Sequence, residues 1–418
     1  MSSSRIAVLA STIEQNTRVL DEYLRKNGLP SPSFDASNPP DLVLPEDIMK
    51  AKGAALEAMD ELEGLLLGPM PKIFHELTQK HTNLTSLHAV AKFNMASKFS
   101  AQETTTIPEL ASACGIDKKD CERLIRHALT NRIFTESSKG VIAHSAMTQA
   151  IANVPLLREW IEETCENMWS SAPRIVSAMA KWPGSEEPNE TAFNIAHNSQ
   201  LPFFAEISKD PANAKRFADS MSFFQASPGM QTALVIDNYN WAAYETGTIV
   251  DVGGSQGAVA IELAKRFPNI KCVVQDLPEV IAGAPKDVNP KQVKFQEYDF
   301  FTEQLVKDAD VYFFRMIFHN WGDKYCVKIL RNLIPALKKG ARIVINDHVV
   351  PEPGVLSPYQ DRQVRAFDLV MKECFNAKER DVNDWTNLLK EADERFAVLE
   401  IVRPVGSQLQ MINVEWKG

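Results

Sequence analysis

The sequence predicts an α/β fold in which a mostly parallel sheet follows a long helical region. Helical segments make up most of the first 245 residues, and strands and helices alternate after that point. Such alternation is typical of a parallel sheet with helices packed on both faces. Seven short apolar runs, many of them rich in β-branched residues, are the candidate strands: 248–252, 271–275, 293–298, 310–314, 342–346, 397–402 and 409–415.

Helical runs interleave with these strands at 256–267, 323–338 and 360–375. The last two strands are joined only by the short segment 403–407, which predicts an antiparallel hairpin. We therefore expect a seven-stranded sheet that is parallel except at the edge formed by this hairpin.

Composition limits the class of protein and its partners. The chain has 418 residues, 44% apolar and 24% charged, which is enough for two domains with a substantial core. Its net charge of -9 argues against a nucleic-acid partner. Its apolar runs are too short for a membrane span or a signal peptide. The six cysteines are scattered without metal-binding spacing, so we expect reduced thiols and a cytoplasmic location.

The N-terminal part is expected to be helical. Residues 4–26, 47–68 and 71–99 have helical periodicity, and the Pro- and Ser-rich segment 29–47 predicts a linker or an extended arm. These helices carry more apolar side chains than we expect one chain to bury, which favours a homodimer.

A winged-helix pattern follows. Residues 107–129 have the rhythm of two helices joined by a turn, with Gly115 at the turn and Asp117 as the N-cap of the second helix. Residues 134–143 then predict the wing. Such modules often bind DNA, but the second helix mixes acidic and basic side chains on an acidic chain. A packing role is therefore favoured over DNA binding.

The first strand ends in a glycine-rich turn that predicts a ligand site. Gly253 and Gly254 allow a ligand to approach the backbone closely, and the helix that follows presents free N–H groups. Asp276 ends the second strand about 20 residues further on, where a carboxylate can bind ribose hydroxyls. This order of strand, turn, helix and acid is typical of a Rossmann-like nucleotide-binding sheet.

The nucleoside is indicated by Asp251, which directly precedes the turn. A carboxylate there would repel a pyrophosphate, and the turn lacks the G-x-G-x-x-G pattern of dinucleotide-binding proteins. The same carboxylate suits the amino group and sulfonium of S-adenosylmethionine. The alternative, which is the less favoured one, is a tight connection between strand and helix without a ligand.

Further strand ends bring more polar groups to the same rim, because ligands of open α/β sheets bind beyond the C-terminal ends of the strands. Asp299 and Phe300 follow the third strand, and we expect them to contact adenine by a hydrogen bond and by ring contact. Arg315 follows the fourth strand and Asp347 the fifth. Five successive polar strand ends are much harder to explain by chance than any single motif.

His319 is the candidate general base, because it lies just past the fourth strand and histidine accepts protons near neutral pH. Asp347 from the neighbouring strand, or Glu379 from a loop, would hold its imidazole in the required tautomer. The alternatives are a structural hydrogen-bonding role for His319 and a salt bridge or helix cap for either acid.

Together these motifs resemble the class I methyltransferases, and more narrowly the caffeate O-methyltransferase-like enzymes of plant and fungal secondary metabolism. In that family the second motif includes the position of Leu277 beside the ribose-binding acid. The segments that carry the resemblance are 250–257, 274–278, 298–301, 315–323 and 376–380.

The resemblance implies a helical, winged-helix-like dimerisation domain at 1–150 and an S-adenosylmethionine-binding catalytic domain at 151–418, with its Rossmann-like core at about 246–418. It also implies which residues bind the cofactor: Asp251, Gly253, Gly254, Asp276, Leu277, Asp299, Phe300 and Arg315.

The activity implied is methyl transfer to a hydroxyl of a small, aromatic secondary metabolite, whether phenolic, enolic or polyketide-derived. His319 would act as the base with Asp347 and Glu379 in support, without a metal ion. The sequence departs from the family at Ser255, where glycine is frequent, and at Asp347, where glutamate is common. Relatives that keep S-adenosylmethionine bound while catalysing pericyclic reactions or dehydrations are the alternative.

Overall fold

The computed structural model describes residues 4–418. Within that range no helix is both long and apolar enough to cross a membrane. The chain forms two compact units. The first runs up to Glu166 and includes 215–220 and 357–360, and the second comprises 167–214, 221–356 and 361–418.

The first unit begins with two long paired helices. The predicted helices at 4–26 and 47–68 are confirmed as α1 and α2, and the segment between them forms no helix. Ser4 caps α1 through its hydroxyl, and Arg5 of α1 forms an ion pair with Glu61 of α2. The helices of this unit are α1 (Arg5–Lys26), α2 (Glu46–Leu67), α3 (Pro69–Phe74), α4 (Asn83–Lys92), α5 (Ile107–Cys114), α6 (Lys118–Thr130), α7 (Ala146–Asn153) and α8 (Leu157–Glu163).

Helices α5 and α6 are followed by a hairpin, in the order that the sequence predicts. Gly115 ends α5 with a φ of 67°, and the Asp117 carboxylate accepts from the backbone of Lys119 at 2.8 Å to start α6. The wing strands β2 (Phe134–Ser138) and β3 (Val141–His144) pair antiparallel, and β1 (Thr104–Thr106) adds a third strand beside β3.

The second unit is built on a seven-stranded sheet, and all seven predicted strands are present. Its strands are β4 (Thr248–Val252), β5 (Lys271–Asp276), β6 (Val293–Glu297), β7 (Val311–Arg315), β8 (Arg342–Asp347), β11 (Phe396–Val402) and β12 (Gln410–Trp416). A separate parallel pair consists of β9 (Val349–Val350) and β10 (Arg380–Asp381), which the sequence did not predict.

The strand order is β11-β12-β8-β7-β4-β5-β6. All neighbours are parallel except β12, which is antiparallel to both β8 and β11 and so confirms the predicted edge hairpin. The chain moves from β4 to β5 and β6 on one side and then returns to β7 on the other. This reversal between β4 and β7 is the topological switch point, where ligands of such sheets bind.

Helices cover both faces of this sheet: α13 (Thr232–Asp237) and α14 (Ala258–Arg266) on one, and α16 (Asp323–Leu333) and α18 (Val382–Ala392) on the other. The remaining helices are α9 (Ile175–Lys181), α10 (Ala192–Ala196), α11 (Phe203–Ile207), α12 (Pro211–Ala226), α15 (Pro278–Ile281) and α17 (Pro358–Phe375); α12 and α17 each have a short stretch in the first unit. Tyr312 and Phe314 of β7 join one core and Phe313 joins the other. Because both faces are buried, these strands read as continuous apolar runs.

Candidate active site

The glycine-rich turn lies at the end of β4 and is tied to β5. The backbone N–H groups of Gly253 and Gly254 both donate to the carbonyl oxygen of Gln275, at 2.8 and 3.1 Å. A Cβ on Gly254 would lie 2.6 Å from Cγ of Asp251, and one on Gly253 would collide with Ile317. The turn therefore has room for backbone only, as a close approach to a ligand requires.

Asp276 connects the end of β5 to this turn. One carboxylate oxygen accepts from the backbone of Ser255 at 2.9 Å, and the other accepts from the backbone of Leu277 at 2.8 Å. Burial raises the pKa of Asp276, and the two backbone hydrogen bonds oppose that rise. Each oxygen keeps a second lone pair for an outside donor. The side chain of Leu277 is exposed.

Asp251 is a buried acid with no hydrogen-bonded cation among residues 4–418. Burial raises its pKa to about 7, the charge of Arg315 opposes this, and Asp276 adds to it. A positively charged ligand at this position would favour the ionised carboxylate.

Arg315 is fixed at the end of β7 rather than free in the cleft. Its guanidinium donates to the side chain of Asn346 at 2.9 Å and also to the carbonyl oxygen of Met230. Burial lowers its pKa to about 10, and the charges of Asp251 and Asp347 oppose that change. The charge of Arg315 therefore interacts both with Asp251, among the predicted cofactor-binding residues, and with Asp347, among the predicted catalytic residues.

The predicted adenine-contacting pair is placed unevenly. Phe300 lies over the glycine-rich turn, with Cε1 3.9 Å from where a Cβ on Gly253 would be. It packs edge-on against Trp321 at 5.9 Å. The Asp299 side chain accepts from the backbone of Phe301 at 2.9 Å and is otherwise solvent-exposed.

His319 is buried at a sharp turn after β7. Met316 has a left-handed φ of 54°, and its N–H donates to the carbonyl oxygen of Asn346 at 3.0 Å. One turn of 3₁₀-helix then carries His319, which is 6% exposed. This turn aims the imidazole back toward the ends of β7 and β8, where both candidate acids lie.

Glu379 and Asp347 contact His319 in different ways. Nδ1 of His319 lies 3.1 Å from Oε1 of Glu379 but 3.9 Å from the nearer oxygen of Asp347. Asp347 instead accepts from the backbone N–H groups of His319 and His348, at 3.3 and 3.0 Å. Glu379 is therefore the hydrogen-bond partner of the imidazole ring, and Asp347 is the hydrogen-bond partner of the His319 backbone.

This hydrogen-bond network assigns the tautomer. When Nδ1–H donates to Glu379, Nε2 is the atom left to accept a proton. Burial alone would lower the pKa of His319, but the charges of Asp347 and Glu379 outweigh it and raise the pKa to about 9. Glu379 is buried as well, yet the imidazolium charge and its hydrogen bond lower the Glu379 pKa. Near neutral pH the resting pair is therefore imidazolium and carboxylate.

Arg380 fixes both members of this pair, and sequence reasoning did not select it. Its guanidinium donates to the carbonyl oxygens of Phe318 and Trp321, at 2.9 and 2.8 Å, and to the carboxylate of Asp323 at 2.7 Å. It is 1% exposed. The only sequence signal for its role is its position directly after Glu379.

The same three side chains could also hold a cation. Donor atoms of His319, Asp347 and Glu379 all lie within 4.8 Å of one another. One imidazole and two carboxylates are a set that divalent metals accept, with ligand distances near 2 Å. The 3.1 Å spacing between Nδ1 and Glu379 is that of a hydrogen bond. The arrangement as it stands is therefore an ion-paired base.

Comparison with known proteins shows the family of this chain. A model of the O-methyltransferase domain matches residues 180–394. O-methyltransferase kk1A of Curvularia clavata is 38% identical, over 99% of this chain and 98% of its own. Chlorophenol O-methyltransferase of Trichoderma longibrachiatum is 36% identical, over 99% and 90%.

The chain belongs to the O-methyltransferase family. It is an enzyme whose cofactor is S-adenosylmethionine. The fold and the site fit that cofactor, because the turn at Gly253 and Gly254 has no room for a Cβ and no cation of the described part of the chain is hydrogen-bonded to the buried Asp251.

Solved structures share the fold. OxaC, solved in complex with SAH and oxaline, has a TM-score of 0.79 at 22% identity and covers 99% of this chain and 100% of its own. LepI, solved in complex with SAM, has a TM-score of 0.73 at 21% identity over 97% and 99%. A chain described as a pericyclic reaction enzyme has a TM-score of 0.74 at 21% identity over 97% and 100%. At these identities the likeness concerns the fold alone.

Proposed function

We propose that this enzyme transfers a methyl group to a hydroxyl of a small aromatic molecule, phenolic, enolic or polyketide-derived, with His319 as the general base. The observation that carries the proposal is the buried contact of 3.1 Å between Nδ1 of His319 and Glu379, at the rim that also carries the glycine-rich turn. The name of the chlorophenol-methylating relative supports a phenolic acceptor.

The cofactor would be held by the residues at the ends of β4, β5, β6 and β7. Asp251 would neutralise its positive charge, and Asp276 would accept from ribose hydroxyls. Phe300 and Asp299 would contact adenine, Leu277 would lie beside the ribose, and Arg315 would stabilise the cleft wall. Gly253 and Gly254 would let the cofactor lie against the backbone. When bound, S-adenosylmethionine supplies a methyl group on a positively charged sulfur.

In its neutral form, which is the minor form near neutral pH, His319 would take the hydroxyl proton on Nε2. A free phenol has a pKa of about 10, and the pKa of about 9 for His319 makes the transfer nearly balanced. Glu379 then stabilises the imidazolium that forms. Asp347 keeps the backbone of His319 in place. Alignment of the two substrates in a cleft without bulk water supplies much of the remaining acceleration.

The decisive experiment measures S-adenosylhomocysteine release with a panel of phenolic and enolic acceptors. We expect release together with a methylated product for the wild-type protein. His319→Ala should lower kcat by about 10²- to 10⁴-fold, because the base is lost. Its affinity for S-adenosylhomocysteine should stay nearly unchanged. A His319→Ala variant that keeps most of its rate would remove His319 from the mechanism.

A second candidate is a pericyclase or dehydratase that binds S-adenosylmethionine without consuming it. Two observations favour it: the fold likeness to a pericyclic reaction enzyme, and the fixed charge of Arg315 between Asp251 and Asp347. Product formation with unchanged cofactor concentration would establish this reaction, and one equivalent of S-adenosylhomocysteine per product would exclude it.

The proposal includes a homodimer formed by the winged-helix-like N-terminal domain, with a boundary near residue 150 to the catalytic domain at 151–418. Apolar patches of this extent mark protein interfaces. Large apolar side chains are exposed along α1, α2 and α3: Ile6, Val8, Val19, Met49, Leu56, Met59, Leu65, Leu66, Met70, Ile73 and Phe74. Light scattering after size exclusion should give twice the chain mass, and Leu66→Glu should reduce it. A monomeric wild-type protein would contradict the proposal.

The proposed location is the cytoplasm. All six cysteines are free thiols, five of them buried. A reducing compartment keeps thiols in this form.

A further inference from the structure

His348 is a buried histidine beside the catalytic pair that the proposed mechanism does not use. It directly follows Asp347, and its side chain ends in an Nε2 atom that is buried without a hydrogen-bond partner among the described residues. Buried polar atoms are nearly always paired in folded proteins. An unpaired one next to the residues of a proposed active site indicates that the partner comes with the ligand.

The position of His348 is fixed from several sides. Its N–H donates to the Asp347 carboxylate at 3.0 Å, and its carbonyl oxygen accepts from Nε1 of Trp385 at 3.2 Å. The ring stacks on Phe367 of α17, with centroids 5.5 Å apart and planes at 23°. Phe367 in turn packs against Phe224 at 5.6 Å. The imidazole therefore presents one defined edge.

The protonation of His348 makes that edge an acceptor. Burial lowers its pKa, and the charge of Glu379 opposes this while those of His319 and Arg403 add to it. The neutral ring carries one proton. A hydrogen bond to the backbone of Gln408 supports the ring, and because Nε2 has no partner that bond falls on Nδ1. Nε2 is then a lone-pair acceptor.

His348 and His319 are held against the same two acids. The Asp347 carboxylate accepts from the backbone N–H groups of both histidines, and the charge of Glu379 acts on both rings. Glu379 contributes a second unpaired atom, because its Oε2 is also buried without a hydrogen-bond partner in the described part of the chain. Nε2 of His348 and Oε2 of Glu379 are thus two unpaired acceptor atoms beside the base that takes the proton of the substrate hydroxyl.

We propose that His348 determines substrate specificity by accepting, on Nε2, a hydrogen bond from a second hydroxyl of the acceptor molecule. This inference rests on the proposed function, since it takes the hydroxyl deprotonated by His319 as the first. It selects aromatic acceptors that carry a second hydroxyl near the first. A monohydroxylated acceptor would leave Nε2 of His348 unpaired, and sites that lose a required polar partner discriminate strongly.

The test compares binding of catechol, resorcinol and phenol to the protein saturated with S-adenosylhomocysteine. We expect wild type to bind at least one dihydroxyarene roughly 10-fold more tightly than phenol. His348→Phe keeps an aromatic ring on Phe367 and removes the acceptor, so this ratio should fall close to one while phenol affinity changes less than about threefold. His348→Gln carries an acceptor oxygen and should restore part of the ratio.

Phe367→Leu is the matched control, because it removes the stacking partner of the ring but keeps the imidazole with its Nε2 acceptor. It should lower affinity for all three probes together. Equal binding of the three probes to wild type, no binding of the dihydroxyarenes, or an unchanged ratio in His348→Phe would each overturn the inference. The affinity of every variant for S-adenosylhomocysteine reports whether it is folded. If His348→Phe misfolds, the ratio of dihydroxyarene to phenol affinity is measured in His348→Gln, where it should be lower than in wild type.

The proposed function fails separately. Preferential binding of a dihydroxyarene without methyl transfer in the presence of S-adenosylmethionine would reject the transferase and keep the specificity role of His348. Methyl transfer to phenol and dihydroxyarenes at equal kcat/KM would keep the transferase and reject the specificity role of His348.

Discussion

Arg380 donates a hydrogen bond to the carbonyl oxygen of Phe318 at 2.9 Å, one residue before the candidate base. Arg380 is also the residue directly after Glu379. One buried guanidinium therefore sets the position of the histidine turn from the same backbone segment that carries its acid partner. The distance between His319 and Glu379 depends on this link.

Arg380→Lys should lower both stability and turnover. Lysine keeps the charge but cannot form the planar fork to two carbonyl oxygens and a carboxylate. We expect unfolding to become about 3 kcal/mol easier, because buried polar groups lose their partners. Denaturant unfolding measures this. Lys378→Met is the control, since Lys378 is 40% exposed in its ion pairs and should cost less than about 1 kcal/mol. Equal effects of the two substitutions would contradict the argument.

Activity should rise with pH to a plateau. His319 accepts a proton only when neutral, and with a pKa of about 9 its neutral fraction grows as pH rises through 9. We expect kcat/KM to increase about 10-fold per pH unit below 8, for an acceptor whose hydroxyl stays protonated in solution over this range. A flat profile between pH 6 and 9 would show that deprotonation of His319 does not control the rate.

Glu379→Gln should shift that profile toward lower pH and lower its plateau. Loss of the carboxylate removes the Glu379 charge and the charged hydrogen-bond acceptor, which both raise the pKa of His319, so the neutral ring appears at lower pH. The amide cannot stabilise the imidazolium, so we expect a plateau about 10- to 100-fold lower. Asp347→Asn is the comparison. Its effect on the plateau should be smaller, because Asp347 contacts the backbone of His319 rather than the ring at hydrogen-bond distance.

Gly254→Ala should weaken cofactor binding. The added Cβ would lie 2.6 Å from Cγ of Asp251 and 2.9 Å from a methyl group of Val274, so the turn must move. We expect S-adenosylhomocysteine affinity to fall at least about 10-fold, which calorimetric titration measures. Gly53→Ala in α2 is the control, because nothing lies within 4 Å of its added methyl. Unchanged affinity in Gly254→Ala would place the cofactor elsewhere.

Removal of divalent metals should leave activity unchanged. Nδ1 of His319 already bonds to Glu379, and the ion-paired base needs no metal ligand. Methyl transfer is measured after dialysis against a chelator and again after addition of Zn²⁺ or Mg²⁺. Activity that disappears and returns with one of these ions would assign the His319, Asp347 and Glu379 cluster to a metal instead.

The sheet was predictable because its central strands β4, β7 and β8 are buried on both faces and therefore stand out as apolar runs. Helix ends were less so. The run predicted at 323–338 is α-helical only to Leu333, because Pro335 lacks an N–H and converts the last turn to a 3₁₀-helix. The pairing of β9 with β10 left no sequence pattern, since each strand has two residues.

The site could be predicted as a set of strand ends but not as a set of contacts. Topology alone brings Asp251, Asp276 and Asp347 to one rim. Which acid meets the imidazole depends on a loop 60 residues beyond His319. That loop is set by the left-handed φ of Asn376 and by the buried side chain of Arg380, and burial of an arginine cannot be read from its residue type.

Strand β12 lies between β8 and β11 although it is the last strand in chain order. During synthesis the apolar edge of β8 therefore stays unpaired until residues 410–416 have left the ribosome. An exposed strand edge of this kind recruits other chains. Yield of the native enzyme in a cell should consequently depend on how well this edge is protected until β12 has been synthesised.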